Sequence, residues 1–203
     1  MKARNATLDD DTYDNFKDGY RSVKNLLCAF ASLETAARMV EQHALDNELC
    51  YDAILVLRPD TAIIKDIDLP ENLAEIRSGK RVLWVPDMHH WGGYNDRMAF
   101  GETDVMLKDY MRRGAAYRDW EFGGDPMNGE KHLKLVMERA SVTVRFSKAR
   151  LIRVRAGGIV QRLDSTPSNL NLPDSDADFA RCVRGNVEAR VTAEGKEFQA
   201  NDC

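Results

Sequence analysis

Two short apolar runs in this 203-residue chain each end in a proline followed by an aspartate. The first lies in YDAILVLRPD, residues 51–60, where five consecutive apolar residues lead into Arg58, Pro59 and Asp60. The second, residues 82–85, runs into Pro86 and Asp87. Branched apolar runs of this length read as strands buried on both faces. Proline has no N–H to donate and a fixed φ, so regular pairing ends there. The charged residues therefore stand at the carboxyl ends of strands, the edge where open α/β sheets bind ligands. A guanidinium at that edge offers a fork of donors to phosphate oxygens. A carboxylate there offers hard oxygen ligands to Mg²⁺ or Mn²⁺. The plainer alternatives are an ion pair from Arg58 to Asp60 or Asp87, and Asp60 capping the turn after Pro59.

The loop after the second strand, DMHHWGGYNDR, is dense in reactive groups. Asp87, His89 and His90 are of metal-ligating type, yet adjacent histidines on a loop do not easily face one ion, and a surface loop is the plainer reading. Trp91 and Tyr94 have the flat faces that stack on a sugar or a base, or that hold a loop down. Gly92 and Gly93 allow a sharp turn. Asn95, Asp96 and Arg97 follow, with an Asp96–Arg97 turn network as the bland alternative. A second glycine-rich loop, residues 121–129, contains Asp125 and ends just before Glu130, which opens a helix. A carboxylate at that position is favoured by the helix dipole in any case.

The elements that must position these groups follow from periodicity. Val23, Leu26, Leu27, Phe30, Leu33, Ala37 and Val40 recur at three- and four-residue spacing and form one apolar helical stripe. This helix, set off by Gly19, leads into the first strand, as in a βαβ unit. Ile63, Ile64, Ile67 and Leu69 suit a short extended segment; Pro70 suits the first turn of a helix to about Ser78, with Gly79 as its stop. Met98 to Gly101 reads as a short strand, and Thr103 as the N-cap of a helix over 104–116. After the Glu130 helix, strands are expected over 142–146 and 151–155. The predicted fold is α/β, a mainly parallel central sheet flanked by helices. It occupies residues 13–158, after a flexible lead-in (1–12) and before a linker and disordered tail (159–203) rich in Pro, Ser and Asp.

Composition narrows the functional classes. With 43% hydrophobic and 31% charged residues the chain reads as soluble and globular, cytoplasmic by default. A formal charge of −4 gives no global attraction to nucleic acid or an anionic membrane. Residues 139–155 hold six basic side chains and no acid, but no interleaved aromatics; a solvated strand face is the first reading. Cys28, Cys50, Cys182 and Cys203 form no C-x-x-C pair, so neither a zinc site nor a disulfide framework is indicated. No segment is apolar enough to span a bilayer.

In order and spacing, the helix, YDAILVLRPD, RVLWVPD, GGYNDRMAFG and GEKHLKLVME resemble the later part of a GT-A, Rossmann-like nucleotide-diphospho-sugar glycosyltransferase domain, over roughly residues 18–155. The family's first nucleotide-binding strand has no counterpart, and its D-x-D reads Arg58-Pro59-Asp60, with only the second carboxylate. The resemblance implies transfer of a sugar from a nucleotide sugar to a glycan or small-molecule acceptor, with Mn²⁺ or Mg²⁺ held at Asp60. It implies Arg58 at the diphosphate; Asp87, Trp91, Asn95 and Arg97 at substrate; Asp96 at sugar hydroxyls; and Glu130, or else Asp125, as catalytic base. The alternative is a catalytically inactive remnant or sugar-binding module of the same fold.

Overall fold

A computed structural model describes residues 17–65, 69–119, 128–155 and 159–160. The lead-in, Asp125 and the chain beyond residue 160 lie outside them. Helix α1, Arg21–Asp46, is entered through Gly19 and Tyr20, both at positive φ (67° and 62°). The Asp18 carboxylate accepts from the Ser22 backbone N–H and, at 2.7 Å, from its hydroxyl, which satisfies a donor of the first turn. Its expected stripe faces inward, with Val23, Phe30 and Ala37 buried.

Strands β1 (Ala53–Leu57), β3 (Val82–Pro86), β4 (Met98–Glu102) and β5 (Thr143–Ser147) form one sheet in the order β1-β4-β3-β5. Strand β4 runs antiparallel to both neighbours, and only β3 and β5 are parallel. The protein is mixed α/β, but its sheet is mostly antiparallel rather than mainly parallel. The reason is in the connections. No helix intervenes between β3 and β4, and a loop alone returns the chain antiparallel. Between β4 and β5 the chain traverses helical segments, the crossover a parallel pair requires. Strand β2 (Thr61–Lys65) pairs with β6 (Arg150–Arg155), which pairs with β7 (Ile159–Val160), as a second antiparallel sheet.

Period-two alternation gives the main sheet two cores. Leu83, Val85 and Ala99 face a layer built by α1, the segment after β4, and helix α3 (Gly129–Arg139). Met98, Phe100 and the half-buried Trp84 face Leu151, Ala149 and Ile76 of helix α2 (Leu69–Arg77). The short run MAFG is thus the sheet's buried centre. Gly101 permits this: a Cβ there would lie 2.6 Å from the Val82 carbonyl oxygen.

The strand over 53–57, expected to be buried on both faces, is instead an edge. Among the described residues β1 pairs only with β4, and Leu55 and Leu57 are 43% and 36% exposed. Ile54 and Val56 turn to the helical layer, which leaves Leu55 and Leu57 on the opposite side. The helix expected over 104–116 is also different. A π-helical segment, Val105–Tyr110, is followed by a 3₁₀ segment, Arg113–Asp119. Thr103 donates its hydroxyl to the Tyr51 carbonyl at 2.5 Å and caps no helix.

Candidate functional site

Strands β1 and β3 both run against β4, so their carboxyl ends share one edge of the sheet. They are not adjacent: two strand spacings, roughly 9–10 Å, separate them. Residues 95–97, leading into β4, occupy the space between. The Arg58 N–H donates to the Arg97 carbonyl at 2.9 Å, which ties the end of β1 to this segment.

Arg58, Asp60, Asp96 and Arg113 form one charged cluster. Arg58 grips Asp60 with two parallel bonds, Nε to Oδ1 at 3.0 Å and Nη2 to Oδ2 at 2.9 Å. Its Nη1 lies 3.9 Å from Asp96 Oδ1, and Arg113 Nη2 lies 3.6 Å from Asp96 Oδ2. Burial alone would lower the Arg58 pKa; the Asp60 hydrogen bonds, with the fields of Asp96, Asp60 and Glu130, outweigh it and hold the guanidinium above its ordinary value.

Arg113 is the residue that sequence reasoning missed. Its side chain is 2% exposed, its Nη1 donates to the Tyr110 carbonyl at 2.9 Å, and its guanidinium stands 4.4 Å from the Tyr110 ring centroid and 5.3 Å from that of Phe30. Gly114 admits this approach, because a Cβ there would come within 2.7 Å of Phe30 Cβ. The Tyr110 hydroxyl donates to the Asp96 carbonyl at 3.1 Å, and burial pushes its pKa up. π-Helical turns recur at functional sites because they redirect side chains; here one places Tyr110 beneath Asp96.

Glu130 stands in the first turn of α3, whose start is capped by the Asn128 side chain accepting from the Glu130 and Lys131 N–H groups at 2.9 and 3.0 Å. The Glu130 carboxyl is pushed up to about 7, first by burial and then by the Asp96 charge, against its own backbone N–H and the fields of Arg97 and Arg58. Gly129 brings that turn close: a Cβ there would lie 3.2 Å from both Asp96 Oδ2 and Leu26 Cδ1. The tips of four separate segments therefore meet at Asp96.

The other expected residues divide between scaffold and surface. Asn95 is fully buried and braces the loop: its amide donates to the Met88 carbonyl at 2.7 Å, and its oxygen accepts from the Arg97 N–H at 2.9 Å. Arg97 is buried at the base of the cluster. Asp87 is 61% exposed and faces His90 at 3.5 Å; its backbone N–H donates to the Ser147 carbonyl. His90 and Tyr94 lie against Phe146, holding the loop to β5. Trp91 is 62% exposed and stacks on His89, both at positive φ.

The donor set does not fit a resident divalent cation. Asp60 gives both oxygens to Arg58, and among the described residues no three His, Cys, Asp or Glu side chains converge. Beside the cluster lies a cleft of ≈ 570 Å³ between α1 and the end of β1. No described helix is long and apolar enough to cross a membrane. No family model, no curated protein and no solved structure matches this chain.

Proposed function

We propose that the chain is a glycosyltransferase-like domain that moves a sugar from a nucleotide-diphosphate donor to an acceptor hydroxyl. The observation that carries this reading is a carboxyl held near pH 7, Glu130, beside Asp96 and Arg58 on the sheet edge next to an open cleft. A general base works best when its pKa lies close to ambient pH. In a direct displacement the acceptor oxygen bonds to the anomeric carbon as the bond from that carbon to the diphosphate breaks. The electron pair leaves on the diphosphate, and Glu130 takes the acceptor's proton. Asp96, held between Arg58 and Arg113, orients sugar hydroxyls. No step is assigned to a metal.

The test is a titration with UDP- and GDP-sugars that follows thermal stability and donor hydrolysis. A transferase is stabilised by its donor and hydrolyses it slowly. Glu130→Gln is expected to keep the stabilisation and lose the hydrolysis. A sugar-binding module is the second reading, favoured by the Arg58 clamp that takes both Asp60 oxygens. Such a module binds sugars with no hydrolysis of any donor.

A further inference from the structure

The cleft between α1 and β1 has two chemically distinct parts. Its wall is mostly apolar, formed by Leu26, Leu33 and Ala36 of α1 and by Val56 of β1, with Asn25 and Ser32 beside them. Its end is the cluster of Arg58, Asp60, Asp96 and Arg113. We infer that this cleft binds a hydroxylated head attached to an apolar body, that is, a sugar carrying an alkyl or aryl aglycone. On the transfer reading above, this molecule is the acceptor.

Charge selects the head. The polar end holds two guanidiniums and two carboxylates, each carboxylate within 3.9 Å of a guanidinium, so the formal charges cancel. A phosphate head would meet Asp60 and Asp96 as closely as it met the arginines. A hydroxyl suits both, because it donates to a carboxylate and accepts from a guanidinium at once. Alternating acceptors and donors match the vicinal hydroxyls of a sugar ring. Burial and the Tyr110 and Phe30 rings hold Arg113 in place, so this end is formed before any ligand arrives.

Size and position select the body. A volume of ≈ 570 Å³ lies within the range that takes ligands of several rings. A monosaccharide at the polar end leaves the wall along α1 wet, and an apolar aglycone covers it. Gly129 packs close to Leu26 and Asp96: a Cβ there would lie 3.2 Å from Leu26 Cδ1 and from Asp96 Oδ2. The first turn of α3 therefore packs against Leu26 and Asp96, two of the residues that line the cleft.

The experiment is calorimetry on the full chain, without donor, using hexyl and phenyl glycosides of glucose, galactose and mannose against the methyl glycosides of the same sugars. For at least one sugar the hexyl or phenyl form is expected to bind tenfold or more tightly than the methyl form. Ala29→Trp, at an exposed position on the cleft's rim, is expected to remove that preference and leave the thermal midpoint unchanged. Asp96→Asn is expected to weaken all of these glycosides. Equal affinity for methyl and hexyl forms, no binding of either, or tighter binding of inorganic diphosphate than of any glycoside overturns the inference. The donor titration reads the transfer proposal separately. Glycoside binding with silent donors upholds the cleft and removes the transfer; donor hydrolysis with no aglycone preference does the reverse.

Discussion

A Cβ on Gly93 would stand 1.9 Å from the carbonyl oxygen of Glu130. The backbones touch because the Tyr94 N–H donates to that same carbonyl at 3.0 Å. The glycine turn after β3 is thus a seat for the first turn of α3. Gly93→Ala is expected to displace that turn, with a loss of about 2–4 kcal/mol in urea unfolding. It should also move the Glu130 carboxyl away from its value near 7, seen as a shifted midpoint in carbon NMR of the side chain. Gly92→Ala is the control. It has a positive φ of 84°, but its Cβ would meet only the flexible end of Lys131, so about 1 kcal/mol is expected and the Glu130 titration should stay put.

The half-buried Glu130 and the buried His132 give stability opposite slopes with pH. Glu130 titrates near 7 when folded and near its ordinary value of 4.5 when unfolded, so between those values the folded state holds the extra proton. Its contribution is fully present below pH 4.5 and is lost as pH rises through 7. His132 is lowered to about 4 by burial and by the charges of Arg113 and Arg139, from an ordinary 6.5. Its contribution is present above pH 6.5 and lost as pH falls through 4. Between pH 4.5 and 6.5 the two oppose each other. Glu130→Gln is therefore expected to unmask a rise in stability with pH across that window, of order 1–3 kcal/mol. His132→Phe is expected to unmask a fall. Chemical denaturation at half-unit pH intervals reads both, and parallel curves for wild type and Glu130→Gln would remove the assignment.

Arg112 and Arg113 are sequence neighbours with different surroundings. Arg112 makes a bidentate pair with Glu41 of α1 at 2.6 and 2.7 Å, partly open to solvent. Arg113 is buried against Asp96. Removing one partner of a buried pair leaves an uncompensated charge, whereas a solvated pair contributes little. Arg113→Met is expected to cost about 3–5 kcal/mol, and Arg112→Met less than about 1 kcal/mol. The double variant Arg113→Met with Asp96→Asn should recover part of the loss, since neither charge then remains alone. Full additivity in that cycle would mean that Arg113 acts by filling space.

These contrasts show what the sequence could and could not convey. Strand ends at Pro59 and Pro86, the Pro70 and Gly79 limits of α2, and Glu130 opening α3 were legible because each rests on a local backbone rule. Sheet order was not, because an apolar run such as AILVL has the same composition at an edge as at a centre. Its place depends on which later strand returns beside it. For Arg58 the plainer of the two sequence readings, an ion pair to Asp60, is the contact observed. Arg113 gave no signal. In RRGAAY a buried and an exposed arginine look alike, and the π-helical turn that redirects Tyr110 has no periodicity of its own.

The edge position of β1 can be checked through side chains alone. Leu55 faces solvent and Val56 faces the helical layer, one residue apart on an uncharged strand. A buried strand would tolerate lysine at neither position; an edge strand tolerates it on its open side, where a charge also discourages pairing with other chains. Leu55→Lys is expected to change stability by no more than about 0.5 kcal/mol and to reduce light scattering in concentrated solution. Val56→Lys is expected to cost about 2–4 kcal/mol, because this half-buried position packs against the layer of Leu33, Ala36 and Tyr110. Circular dichroism and urea midpoints of the two variants decide this. Equal damage from both would place another element over Leu55, and damage from Leu55→Lys alone would shift the register of β1 by one residue, turning Leu55 inward.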